Sequence, residues 1–180
     1  MARADQETRT ELAGDGSLFQ GYHPRMEEVH VRNGTRLLAI LEARGWPGAS
    51  LVGEDGAEAA WLVAQHAISM PALQRRALEL IDSPRQAAYL EDRIRVLEGR
   101  PQRYGTQLDW DETGTMSPEP IEDPAGVEER RRAAGLPPLA EVLERLRTGA
   151  RAEGERPPAD WAARRREKDA WARRIGWRER

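Results

Sequence analysis

The chain has no cysteine and only one lysine, Lys168. Without cysteine there are no disulfides, no thiol nucleophile and no sulfur-ligated zinc or iron–sulfur centre. Without a lysine before position 168, Schiff-base chemistry in the body of the protein is excluded. No run of 18 apolar residues occurs, so no membrane-spanning helix and no membrane partner is expected. The opening Met1-Ala-Arg-Ala-Asp-Gln-Glu lacks the apolar core of a signal peptide, and the cytoplasm is the expected compartment.

Catalytic and metal motifs are also missing. No Gly-x-Ser-x-Gly elbow occurs, and Gly48 to Gly53 has the glycine spacing of a phosphate loop with Glu54 where lysine is required. Histidines are few. His23 and His30 stand seven apart, about 10.5 Å along a helix, too far to share one ion. Asp109-Trp-Asp111-Glu-Thr113-Gly114 begins like a calcium loop, but its twelfth position is Pro120 instead of glutamate. An acidic turn is expected there. No metal site and no cofactor is expected.

What is present is a long, charged chain. At 180 residues, with 33% charged side chains, it is sized for one domain with a tail. Residues 1–148 carry 18 Arg against 25 acids, whereas residues 149–180 carry 10 basic against 6 acidic groups. The body is too acidic to follow a phosphate backbone. The expectation is no nucleic-acid partner beyond a weak contact through the tail.

The hydrophobic pattern is helical. Residues 1–20 are polar and glycine-containing and read as a flexible arm. Pro24 opens a helix whose stripe is Met26, Val29, His30, Asn33, Leu37, Ile40 and Leu41, closing at Gly45. Gly34 weakens it by about 1 kcal/mol relative to Ala. Residues 45–56 read as a glycine-punctuated loop, and a buried helix covers about 57–68. Pro71 starts a third helix, and Ser83-Pro84 supplies an N-cap and first-turn proline for a fourth, ending at Gly99. The helical period disappears between 100 and 122, which reads as an extended arm or hairpin around an Asp/Gly turn. Two more helices follow Asp123-Pro124 and Pro137-Pro138. The predicted fold is mainly α: about six helices in a single domain over 21–148, a small extended or hairpin insertion near 102–118, and a C-terminal tail, 149–180, that is disordered or conditionally helical.

The anomaly lies in the most apolar stretch, Ala59-Ala-Trp-Leu-Val-Ala-Gln-His-Ala-Ile68, which contains Gln65 and His66. Buried polar groups must find partners or cost about 1–3 kcal/mol each. His66 is then either a core histidine satisfied by one carbonyl or phenol, or a proton carrier at a site. Gln102-Arg-Tyr-Gly-Thr-Gln107 gathers two amides, a phenol and a hydroxyl around a glycine. As an extended segment it would turn Gln102, Tyr104 and Thr106 to one face and Arg103 and Gln107 to the other. It is the expected partner of His66.

These segments together resemble a bacterial family of unknown function. The resemblance rests on Gly45-Trp-Pro47, Trp61-Leu-Val-Ala-Gln-His-Ala67, Tyr89-Leu-Glu-Asp-Arg93, Gln102-Arg-Tyr-Gly-Thr-Gln107 and Ile121-Glu-Asp-Pro124, and it spans about residues 25–147. Between Leu80 and Gln86 the chain is short for that family. The resemblance implies no activity, only that the polar residues of these motifs belong together.

The expectation is a small-molecule pocket; if it is catalytic, His66 moves protons, with Tyr104 also catalytic and either Tyr104 or Asp92 orienting the imidazole. Gln65, Thr106 and Gln107 line it, with Asn33, Gln74, Tyr89, Asp92 and Arg93 around them, and the ligand is small and polar. The alternative is a non-enzymatic interaction or regulatory module that meets a protein partner through the acidic body and basic tail.

Overall fold

The computed structural model describes residues 2–14 and 22–179. Among these are eight helices and one two-stranded hairpin, in two compact units, residues 1–82 and 83–180. No helix among the described residues is long and apolar enough to cross a membrane.

The first unit begins where a flexible arm is expected. Residues Ala2–Gly14 form helix α1 instead, and residues 1 and 15–20 of that arm lie outside the described residues. The reason is Asp5 and Leu12, seven apart on one helical face, both buried. Helix α2 (Pro24–Arg44) starts as expected at Pro24. His23 caps it, its Nδ1 accepting the Arg25 N–H at 3.2 Å. Its predicted stripe is buried at Met26, Val29, His30, Asn33, Leu37 and Leu41.

Helix α3 (Ala49–His66) begins within the expected loop. Gly53, at φ 74° and ψ 168°, breaks its path without ending it, so the glycine marks a kink, a conformation open to a residue without Cβ. Past the kink Ala60, Trp61, Val63, Ala64 and Gln65 are buried. The helix stops at His66, two residues early, where the Ala67 N–H returns to the Val63 carbonyl. Helix α4 (Pro71–Leu80) follows after a tight link. Its fully buried Gln74 donates from Nε2 to the Ala64 and Gln65 carbonyls, at 2.9 and 3.2 Å, tying down the end of α3. These two carbonyls belong to the last turn, which has no intrahelical donors of its own.

The second unit opens with α5 (Pro84–Leu97), capped by Ser83 as expected. The hairpin pairs β1 (Leu108–Trp110) antiparallel with β2 (Met116–Pro118), Asp109 facing Ser117. Asp111 holds its turn by accepting from the N–H and hydroxyl of Thr113, the N–H of Thr115 and the Ser117 hydroxyl. The acidic loop is therefore a turn, as expected. Helices α6 (Val127–Ala133) and α7 (Leu139–Ala152) bury Val127 and Val142, and Leu90, Ile94 and Leu136 of the same unit are buried too.

The tail, expected to be disordered or conditionally helical, contains a helix. Asp160 caps α8 (Trp161–Ile175) through the Ala163 N–H, the Trp161 indole donates to the Trp110 carbonyl at 2.8 Å, and Trp177 is buried. Arg164 pairs with Asp109, Arg165 with Glu119, and Lys168 with both. The periodicity of the tail hides this, because its anchors are isolated tryptophans and ion pairs instead of a continuous apolar face.

Candidate functional site

In the first unit, three helices each deliver one ionisable side chain to a single point. Asp5 comes from the first turn of α1, His30 from the inner stripe of α2 and His66 from the last residue of α3. His66 Nδ1 donates to Asp5 Oδ2 at 2.5 Å, and His30 Nε2 lies 3.4 Å from Asp5 Oδ1. The two imidazole rings are 5.2 Å apart, tilted by 38°. With Nε2–H directed to Asp5, His30 accepts the Tyr22 hydroxyl at Nδ1, 2.8 Å away, and the Tyr22 ring stacks on its own at 5.7 Å. Tyr22 stands two residues before α2, so the helix start that His23 and Pro24 fix also places the phenol. Beyond it, the Ser69 hydroxyl donates to Glu27 at 2.6 Å.

The electrostatics follow from burial. The side chains of Asp5 and His30 are 8% and 10% exposed, that of His66 34%. Burial alone pushes the Asp5 carboxyl up, but hydrogen bonds from His30 and His66 outweigh it and hold the group well below the usual carboxylate range. Burial raises the Tyr22 phenol, against a hydrogen bond with Ser69. The result is a buried carboxylate flanked by two imidazoles, one enclosed and one reaching solvent. His66 Nδ1 faces the acid, and Nε2 is the ring nitrogen left to meet a ligand.

The expected site residues divide between the units. His66, Gln65, Asn33 and Gln74 lie in the first, and each is buried except His66. The acid that orients His66 within its unit is Asp5. Gln74 clamps helix α3, and its Oε1 is buried without a hydrogen-bond partner. Asn33 lies one turn along α2 from His30.

Tyr104, Thr106, Gln107, Tyr89, Asp92 and Arg93 lie in the second unit, where their polar atoms largely bind one another. The fully buried Asp92 carboxylate accepts four donors: the N–H groups of Arg103, Tyr104 and Thr106 and the Thr106 hydroxyl. The segment is therefore not an alternating strand but a loop wrapped around Asp92. Gly105 turns it at φ +69°, against Ile121 and Leu139. Gln102, also fully buried, donates to the carbonyls of Gln107 and Glu119 and accepts the Gln107 N–H. The Gln107 side chain is engaged by Arg93 and Thr106. Burial lowers the Arg93 guanidinium to about 10, still charged near neutrality. Tyr104 and Tyr89 pack on Ala88, Ala134 and Leu136, and Arg131 holds the loop from below through the Tyr104 and Pro137 carbonyls.

Asp5 and Tyr22 were not among the expected site residues. The available signal was slight: one carboxylate seven residues before one leucine in a polar stretch. His30 was visible as a polar member of an apolar stripe, but only tertiary packing brings it to His66. The same packing gathers a set that spacing along the chain does not show, since Asp5, His30 and His66 each place a ligand atom within 4.8 Å of the others. Spacing along the sequence carries no information about ligands delivered by three separate helices.

A model for proteins described as a family of unknown function (DUF6624) matches residues 1–152. No curated protein and no solved structure matches the chain.

Proposed function

We propose that this chain, which belongs to that family of unknown function, DUF6624, binds a small polar molecule at the centre formed by Asp5, His30 and His66 and acts on it through His66. The observation that carries the reading is the asymmetry of the centre: a buried carboxylate holds Nδ1 of an imidazole that keeps 34% of its side chain exposed. A histidine that only closes a core needs neither the acid nor the exposure. Held this way, the ring is fixed in orientation and tautomer, which is how a proton-transferring histidine is prepared. Gln65, adjacent in sequence, and Asn33, one turn from His30, are the neutral groups of the same unit suited to a polar ligand.

The rival reading, an interaction or regulatory module acting through the acidic surface and basic tail, has less support. Arg164, Arg165 and Lys168 are engaged with Asp109 and Glu119 in their own unit.

A thermal-shift screen of small polar molecules on wild type and His66→Ala tests the proposal. A compound that stabilises wild type and leaves a folded His66→Ala unshifted supports it. Compounds that shift both equally, or a His66→Ala chain that does not fold, return His66 to a structural role.

A further inference from the structure

Asp5 is a buried carboxylate, and among the described residues no arginine or lysine pairs with it; its partners are the two imidazoles. Buried charges are ordinarily paired or bound to metal. Each of the three residues offers one ligand atom, and the three atoms lie within 4.8 Å of one another; the ring nitrogens nearest Asp5 are Nε2 of His30 and Nδ1 of His66.

We propose that these three atoms bind a divalent transition-metal ion of the zinc class. This rests on the reading above and names the agent at its centre. Zinc–nitrogen and zinc–oxygen bonds of about 2.0–2.2 Å place tetrahedral ligand atoms roughly 3.3–3.5 Å apart. The His30–Asp5 separation of 3.4 Å already fits. That contact is to Asp5 Oδ1, whereas His66 Nδ1 lies 2.5 Å from the other oxygen, Oδ2, a contact that opens when the ion replaces the shared proton.

The surroundings of the ligands fit an ion as well. With an ion at Nε2, the His30 proton would sit on Nδ1 and be donated to the Tyr22 oxygen 2.8 Å away, as a metal-bound histidine donates its outer N–H. Two nitrogens and one oxygen suit zinc, cobalt or nickel; magnesium and calcium prefer all-oxygen sets. Three protein ligands leave a fourth position, and His66 lies on the solvent-reaching side of the cluster. An open position is the mark of a catalytic site rather than a structural one. There the ion would polarise an oxygen of the ligand.

The test uses the full chain, stripped with chelator and titrated with Zn2+ by calorimetry and with Co2+ by visible absorption. One ion per chain, with an intense Co2+ spectrum of low-coordinate nitrogen and oxygen ligation, is expected. Asp5→Asn and His30→Ala should weaken binding by at least 100-fold, and Tyr22→Phe, which keeps all three ligands, by about 10–100-fold. No saturable Zn2+ binding by wild type, or binding unchanged in folded Asp5→Asn and His30→Ala, overturns the proposal. The failures are separable. A His66-dependent ligand that binds chelator-stripped protein equally well removes the ion and keeps the small-molecule reading. Stoichiometric ion binding, with every screened compound shifting wild type and His66→Ala alike, does the reverse.

Discussion

Thr106 gives both its backbone N–H and its hydroxyl to the same oxygen of Asp92, at 2.9 and 3.0 Å. The Gln-Arg-Tyr-Gly-Thr-Gln segment thus owes its shape to one buried acid, and its polar side chains serve the loop.

Replacing that acid should therefore cost more than replacing any one donor. Asp92→Asn puts an amide N–H against backbone N–H groups and should destabilise by about 2–3 kcal/mol, whereas Thr106→Val removes one hydrogen bond to a charge, about 1.5 kcal/mol. Urea unfolding of the two variants measures the difference. Equal effects would mean that the loop is held mainly from below by Arg131.

Gly34 reverses a propensity argument. In an exposed helix Gly→Ala stabilises by about 1 kcal/mol, but a Cβ at Gly34 would lie 2.5 Å from Met70 Sδ and 3.0 Å from a Leu73 methyl. Overpacking typically costs about 1–3 kcal/mol, so Gly34→Ala should lose about 1 kcal/mol net. A gain in chemical denaturation would show that the thioether moves aside freely.

The hairpin turn should respond to acid. Hydrogen bonds from Thr113, the Thr115 backbone and Ser117 hold the Asp111 carboxyl at about 2, below its ordinary 3.8. Its contribution is then complete above about 3.8 and is lost as pH falls through about 2, since a depressed carboxyl stabilises its ionised, folded form. Carboxyl and amide NMR titration of the turn should give a shared midpoint near that value for Asp111 and the Thr113 and Thr115 amides. A midpoint at the unperturbed value would mean the turn does not hold the acid.

The tail should be held by its tryptophans more than by its ion pairs. Half-exposed pairs are worth about 0–1 kcal/mol each, while removing a buried tryptophan costs about 3–5 kcal/mol. Trp177→Ala should speed trypsin cleavage within Arg164–Arg166 far more than Asp109→Asn does. The opposite order would make the tail an electrostatic latch.

The helices were legible wherever local chemistry sets them. Pro24, Ser83-Pro84 and Gly45 punctuate α2 and α5 in sequence and in structure, and the hairpin announced itself through Asp111 and Gly114. Glycine misled at Gly53, where a kink inside a helix looks like a loop. Both chain ends misled too, because α1 and α8 dock through a few isolated residues that make no periodic stripe. His66 stood out because a polar group in an apolar helix demands a partner. The identity of that partner was hidden, since Asp5 lies 61 residues away on a helix with one apolar anchor.

That anchor sets how the centre will behave in solution. Among its described side chains, α1 buries Asp5 and Leu12, so the helix completing the triad is the one with the least apolar hold. Any affinity measured there is the intrinsic affinity reduced by the fraction of molecules in which α1 is docked. A substitution at Leu12, remote from every ligand atom, should therefore read out as weaker binding, and saturating occupancy should in turn slow amide exchange along the whole of α1.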